Sequence, residues 1–76
     1  MNLLVDLPIG ARACVASIHG ADELSMRLLE MGLTPGVEVV MVGAAPLGDP
    51  LELELRGYRL SVRRSEAGRV EIHRLD

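Results

Sequence analysis

Three side chains carry the chemistry of soft metal ligands and nucleophiles, and they are Cys14, His19 and His73. Thiolate and imidazole groups bind zinc and similar ions, and a cysteine beside a histidine can act as a nucleophile. None of the three has another cysteine or histidine two or four residues away, so no strand or helix presents a pair of such ligands. We therefore expect a core thiol, two surface imidazoles and no metal site.

Catalysis and nucleotide binding have no recognisable residues in this sequence. No serine or cysteine stands beside a histidine in a nucleophile turn. The segment 45–50 reads "APLGDP", but it lacks the Gly-Lys-Ser/Thr ending of a phosphate loop and does not open a helix. The sequence therefore predicts neither an enzyme nor a cofactor.

The basic residues are all arginines, and four of them lie in the stretch "RGYRLSVRR". A basic ribbon can contact phosphates, but the net charge of −3 argues against a general nucleic-acid binder. Only Tyr58 could stack on a base, and the alternation described below points it inwards. We expect no nucleic-acid partner and a solvated face on which acidic neighbours, Glu52 and Glu54, partner the arginines Arg56, Arg59, Arg63 and Arg64.

Length and composition predict one small domain over residues 1–76, with an aliphatic core because the chain has one tyrosine and neither phenylalanine nor tryptophan. The single cysteine excludes an intramolecular disulfide framework and fits a reducing compartment. The opening "MNLLVDLPIG" shows neither a signal peptide nor a membrane span. We expect a cytoplasmic protein.

One helix is predicted in "ADELSMRLLEMGL", because Leu24, Leu28 and Met31 recur along one stripe. Asp22 is suited to the N-cap position. Gly32 can adopt the left-handed conformation that ends a helix, which would fold the next residue, Leu33, back towards Leu28.

Short strands account for most of the rest of the chain. Arg12–Ile18 reads as a strand with Cys14, Ala16 and Ile18 on one face and Val15 on the other. A Pro-Gly turn leads into a second strand from about 37 to 42, and a last strand over 70–73 follows a turn at "RRSEAG".

The stretch from Ala45 to Arg64 predicts a hairpin, because its apolar residues change from odd to even positions at Arg56-Gly57. A two-residue loop produces such a change. The expected cross-strand pairs are Leu55 with Tyr58, Leu53 with Leu60 and Leu51 with Val62 on the inner side, and Glu54 with Arg59 outside. Five strands and one helix in so short a chain indicate a mainly β fold, a small closed or nearly closed barrel with an inserted helix.

Several segments together resemble the FeoA family, the small cytosolic partner of the bacterial ferrous iron transporter FeoB. They are the early "LPIG", the helix and turn "RLLEMGLTPGVEV", the hairpin "APLGDPLELELRGYRLSVRR" and the closing "EAGRVEI". The resemblance implies an SH3-like barrel that supports ferrous iron uptake without catalysing a reaction. The same module resembles the C-terminal domain of repressors of the diphtheria-toxin-repressor type.

The helix has a second apolar face that one core does not require, formed by Met26 and Leu29. Either the N-terminal segment 3–9 covers this face, or an external partner does. The partner-binding residues that we expect are Met26, Leu29, Leu47, Arg56 and Tyr58.

Three functions follow from the resemblance and from these residues. The first is a module that docks on FeoB to support its assembly or regulation, with membrane contact only through the transporter. The second is a freestanding regulatory module that binds a peptide or protein. The third is stimulation of GTP hydrolysis by the transporter through an inserted arginine, Arg27 or Arg56. Weak self-association is left open.

Overall fold

The computed structural model describes residues 2–75, and residues 1 and 76 of the predicted single domain lie outside the described residues. The strands are β1 (Asn2–Leu3), β2 (Arg12–Ile18), β3 (Glu38–Ala44), β4 (Leu51–Leu55), β5 (Tyr58–Val62) and β6 (Val70–Arg74). The helices are α1 (Glu23–Glu30) and the one-turn α2 (Arg64–Ala67), and a 3₁₀ turn (Leu4–Asp6) follows β1. All six strands belong to one antiparallel sheet in the order β1-β6-β2-β3-β4-β5.

The mainly β fold with an inserted helix is confirmed, but the strand count and the barrel closure are wrong. The two-residue strand β1 pairs with β6 and adds a sixth strand. Among residues 2–75, β1 and β5 are the edges of an open sheet. Two boundaries also move: β3 runs over Glu38–Ala44, and the turn predicted at "RRSEAG" contains α2.

The core is aliphatic, as the composition predicts. Its fully buried large side chains come from β2 to β6, from α1 and its end, and from the 3₁₀ turn: Leu4, Val15, Leu28, Leu33, Val39, Met41, Leu53, Val62, Val70 and Ile72. The sheet curves around them because β2 and β3 each carry an irregularity, between Val15 and Ser17 and between Met41 and Gly43.

The irregularity in β2 corrects the predicted strand faces. Ala13 and Val15 are buried, whereas Cys14 is only half-buried and is therefore not a core thiol. The alternation changes phase after Val15, so Ile18 packs against the core although Cys14 does not. A strict period of two cannot predict such a change.

The hairpin register is confirmed at every predicted pair, from Leu55 opposite Tyr58 to Leu51 opposite Val62. The loop residues Arg56 and Gly57 have φ of 50° and 83°. Two consecutive left-handed residues are what a tight type I′ hairpin turn requires.

Both predicted ends of α1 are also confirmed. The Asp22 side chain accepts a hydrogen bond from the Ser25 amide at 3.2 Å. At the other end, the amides of Gly32 and Leu33 donate to the carbonyls of Leu29 and Leu28 at 3.0 and 3.1 Å. These two bonds form a Schellman ending, which turns Leu33 into the core.

The N-cap residue of α1, Asp22, also forms an ion pair with Arg69, the residue that precedes β6. The Arg69 guanidinium donates to both carboxylate oxygens of Asp22, at 2.7 and 2.8 Å. This hydrogen bond, followed by the one from the Ser25 amide, lowers the pKa of Asp22 below its ordinary value. A lowered carboxyl pKa stabilises the fold above the unfolded-state pKa, and this contribution is lost as the pH falls through the folded-state pKa.

We therefore expect wild type to be more stable than Asp22→Asn near neutral pH, with the difference shrinking below about pH 4. Asparagine keeps the N-cap but removes the charge, so this variant isolates the ion pair. Thermal unfolding from about pH 7 to about pH 2 measures the difference. A difference that stayed constant over this range would show that the Arg69 contact does not stabilise the fold.

Candidate protein-interaction surface

The outer face of α1, defined by Met26 and Leu29, is exposed to solvent. Met26 is 60% exposed and Leu29 is 37% exposed, whereas Leu28 on the opposite side is fully buried. At 100° per residue, Met26 lies about 160° from Leu28, so one helix cannot bury both in the same core. The structure thus leaves apolar surface on this face, as the sequence predicted.

The N-terminal segment does not cover the outer face of α1, so that alternative is wrong. Leu3 pairs with Glu71 of β6, and Leu4 and Leu7 are buried in the core. The segment therefore packs against β6 and the core, and Met26 remains exposed.

A polar sector borders the outer face. Glu23, Arg27 and Glu30 line a shallow groove together with Met26. Arg27 is not a free cation, because its guanidinium forms an ion pair with the buried carboxylate of Glu66 in α2. Glu66 also accepts a hydrogen bond from the Arg63 amide at 2.8 Å, which caps α2. The pair therefore joins the two helices.

Tyr58 and Arg56 hold the C-terminal end of α1 to the hairpin. The Tyr58 hydroxyl donates to the Met31 carbonyl at 2.6 Å, and the Arg56 guanidinium donates to the Thr34 hydroxyl at 3.3 Å. Tyr58 is 41% exposed, so its predicted inward position is wrong. Its side chain reaches over the end of α1 because an unpaired helix carbonyl there needs a donor.

Gly32 is required at this end of α1 for two reasons. Its φ is +111°, and a Cβ atom there would overlap the Tyr58 hydroxyl. We expect Gly32→Ala to lower the free energy of unfolding by about 1–3 kcal/mol, because the substitution adds backbone strain and displaces a hydrogen-bond donor.

Chemical denaturation of Gly32→Ala measures this cost. The matched control is Gly36→Ala, which has a similar φ of +94° but no atom within 4 Å of the added Cβ. A larger loss at Gly32 than at Gly36 would assign the excess to the Tyr58 contact. Equal losses would contradict a role for that contact.

Leu47 lies on a different part of the surface, in the connection between β3 and β4, and is 97% exposed. This connection is bound to α2, because Arg64 donates through Nε to the Gly48 carbonyl at 2.6 Å and through its amide to the Asp49 carboxylate at 3.1 Å. It is a connection between strands, as predicted for "APLGDP". No described contact joins Leu47 to Met26 or Leu29.

Four of the five predicted partner-binding residues thus fall into two groups. Met26 and Leu29 form the outer face of α1, whereas Tyr58 binds its C-cap, Met31, and Arg56 binds the turn that follows, at Thr34. Leu47 stands apart. The sequence did not reveal that Tyr58 and Arg56 contact the segment 31–34 that ends the helix, because both contacts join residues more than twenty positions apart.

The possible metal ligands show one arrangement that spacing along the chain does not reveal. Cys14 of β2 lies directly opposite His73 of β6 and Glu38 of β3. Glu38 is paired with Arg12 at 3.2 Å, and His19 contacts Glu71 at 3.2 Å. Within residues 2–75, no three His, Cys, Asp or Glu side chains are grouped closely enough to hold a metal ion. Both histidines are exposed, as predicted.

The longest helix in the described part of the chain, α1, has eight residues, and no helix of residues 2–75 is long and apolar enough to span a bilayer.

Comparisons with known proteins identify relatives over nearly the whole chain. The FeoA domain model matches residues 2–74. A Porphyromonas gingivalis protein, an Fe(2+) transport protein A/Fe(2+) transporter FeoB fusion, is 33% identical over 69 residues, which cover 91% of this chain and 8% of that protein. The chain therefore spans a small part of this relative's length.

Solved structures agree with this match. A zinc complex of Stenotrophomonas maltophilia FeoA, described as a prokaryotic SH3 domain protein, has a TM-score of 0.83 at 36% identity, covering 96% of this chain and 91% of that one. A manganese-dependent transcriptional repressor in complex with manganese has a TM-score of 0.88 at 14% identity, covering 97% of this chain and 36% of that one. The SH3-like fold and its likeness to the repressor module are thus confirmed.

Proposed function

This chain belongs to the FeoA domain family, and we propose on that basis that it is a cytoplasmic accessory protein of ferrous iron uptake that docks on the transporter FeoB. The observation that carries the proposal is the fusion protein, in which an FeoA relative of this chain and FeoB are parts of one polypeptide. A covalent connection keeps two domains at high effective concentration, which is useful when they contact each other.

The outer face of α1 is the surface that we assign to this contact. Met26 and Leu29 are exposed on a helix whose two ends are fixed, by the Asp22 cap at one end and by Tyr58 at the other. A rigid helix loses little conformational entropy on binding. Methionine adds an adaptable apolar contact, because its side chain is unbranched and polarisable.

We propose an adaptor rather than an enzyme. The described residues provide no nucleophile-base pair and no phosphate loop, and Arg27 is engaged by Glu66 rather than available for insertion into another active site. The likeness to the repressor, at 14% identity, supports the fold alone.

The isolated protein is expected neither to hydrolyse GTP nor to bind ferrous iron tightly. Phosphate-release assays with purified protein, and anaerobic calorimetry with ferrous iron, measure the two activities. GTP hydrolysis above the buffer rate, or stoichiometric iron binding at sub-micromolar affinity, would contradict the adaptor role.

Co-purification tests the docking directly. We expect affinity-tagged protein, expressed in cells together with FeoB of the same organism, to retain FeoB through washing in mild detergent. The matched control is the tagged protein carrying Met26→Glu and Leu29→Glu, at equal expression. If FeoB were recovered equally with both proteins, the assigned surface would be wrong, and if it were recovered with neither, the docking itself would be wrong.

A further inference from the structure

The edge strand β5 presents backbone groups that no described residue pairs. β5 is paired with β4 on one side only and ends the sheet. In an antiparallel ladder the hydrogen-bonded and non-hydrogen-bonded pairs alternate. The tight turn makes Leu55 and Tyr58 a hydrogen-bonded pair, so the backbone groups of Arg59 and Ser61 point away from β4.

These outward backbone groups are accessible. Arg59 and Ser61 are exposed, and their amides and carbonyls have no hydrogen-bond partner among residues 2–75. Ser61 also lines a groove of about 370 Å³. The other charged residues of this groove are Arg27, Arg63, Asp49 and Glu66, and Met31, the C-cap of α1, borders it as well. An unpaired, exposed strand edge is a template for an additional strand.

Positively charged side chains are concentrated in the segment that contains this edge. The segment 56–64 contains four arginines and no acidic residue, in a chain whose net charge is −3. The partners expected from the sequence, Glu52 and Glu54, account for little of this charge: the one described ion pair, between Arg59 and Glu54, is long at 3.9 Å. Arg63, which also lines the groove, has no ion pair or side-chain hydrogen bond within the described part of the chain.

We infer that the open edge of β5 binds an extended segment of a protein partner in which acidic and apolar residues alternate. Residues directly opposite each other in a ladder share one face of the sheet. Acidic side chains of the added strand would therefore lie on the face of Arg59, and apolar side chains on the face of Leu60, which packs against the core. The backbone would supply two amides and two carbonyls, those of Arg59 and Ser61.

A second copy of this chain does not fit the same edge. If two β5 strands paired with each other, each would bring its own four arginines to the contact. Like charges placed across a ladder are destabilising. An acidic occupant is attracted instead, because its carboxylates would lie close to Arg59 and to the other arginines of the segment 56–64.

The inference is independent of the proposed docking on FeoB, because it uses neither Met26 nor Leu29. The variant carrying Met26→Glu and Leu29→Glu is therefore expected to bind an acidic strand as wild type does. A failure of the FeoB contact and a failure of the β5 edge can thus be told apart.

The test uses a synthetic peptide of about eight residues that alternates glutamate and valine, a length that covers a typical strand. Heteronuclear NMR on the labelled protein measures the affinity and the exchange of each amide proton with solvent. We expect saturable binding, with slower exchange at Arg59 and Ser61. A peptide with the same sequence and N-methyl groups on alternate amides keeps the charge but cannot donate backbone hydrogen bonds to β5. It should therefore bind at least about tenfold more weakly.

Two variants of Ser61 test the edge from the protein side. Proline is tolerated on a strand edge where its missing N–H would face solvent, so Ser61→Pro should fold but bind at least about tenfold more weakly. Ser61→Ala keeps the amide and should bind as wild type does. If Ser61→Pro fails to fold, the comparison with the N-methylated peptide still tests whether backbone hydrogen bonds to β5 contribute to binding.

Three results would overturn the inference. Equal binding of the N-methylated peptide would show that charge alone attracts it. Equal slowing of amide exchange by a single-stranded DNA oligonucleotide would indicate a general polyanion surface. The third result is self-association of the free protein that Ser61→Pro abolishes, because it would make a second copy the occupant.

Discussion

Leu53→Ala is expected to lower the free energy of unfolding by about 2–5 kcal/mol, the largest stability effect that we predict for the hairpin. Leu53 is fully buried and lies opposite Leu60 in the ladder. Removing its outer methyl groups loses apolar burial and leaves a cavity that the curved sheet around it cannot fully close. In a domain of this size such a loss is a large fraction of the total stability.

Leu47→Ala is the matched control, because it makes the same chemical change at a leucine that is 97% exposed. Denaturant titrations of both variants should show a large loss for Leu53 and a change within about 0.5 kcal/mol for Leu47. Similar midpoints for Leu53→Ala and wild type would contradict the inward assignment of Leu53.

The second large effect is expected in binding. Replacing both Met26 and Leu29 with glutamate should weaken the proposed contact with FeoB by about 2 kcal/mol or more, which is about thirtyfold or more, because charges would enter a desolvated apolar contact. The fold should persist, since Leu28 and the rest of the buried face of α1 are unchanged.

Circular dichroism melting and a binding assay on the same preparation separate this effect from unfolding. The matched control is Leu47→Glu, which adds charge at an exposed leucine outside the face. We expect it to bind FeoB as wild type does. A double variant that melts early would show that the outer face of α1 stabilises the fold instead.

Local rules predicted those parts of the structure that depend on neighbouring residues. The change from odd to even apolar positions at Arg56-Gly57 predicted the hairpin register, because a two-residue loop produces such a change, and the register is confirmed. The cap at Asp22 and the ending at Gly32 also follow from residues within a few positions of each other.

The features that the sequence did not predict depend on contacts between distant segments. Tyr58 was expected inside because it shares a parity with Val62, yet it extends over the end of α1, where the Met31 carbonyl needs a donor. The segment around Glu66 was predicted to be a turn, but it forms α2. The Glu66 carboxylate accepts a hydrogen bond from the Arg63 amide and forms an ion pair with Arg27. Strand β1 is two residues long, too short for alternation to be visible.

The candidate site was predicted in part for the same reason. Helical spacing alone identified Met26 and Leu29 as surplus apolar surface. Helical spacing could not decide whether the segment 3–9 covers Met26 and Leu29. That depends on the position of the N-terminal segment, whose first strand pairs with β6.

Docking on FeoB is the central claim, and titration of the purified cytosolic part of FeoB with this protein tests it most directly. Isothermal calorimetry is expected to show saturable binding at a simple stoichiometry for wild type and for Leu47→Glu, and binding weakened about thirtyfold or more for the variant carrying Met26→Glu and Leu29→Glu. If all proteins are folded by circular dichroism and wild type shows no binding heat at several temperatures, or if the double variant binds as tightly as wild type, the account is contradicted.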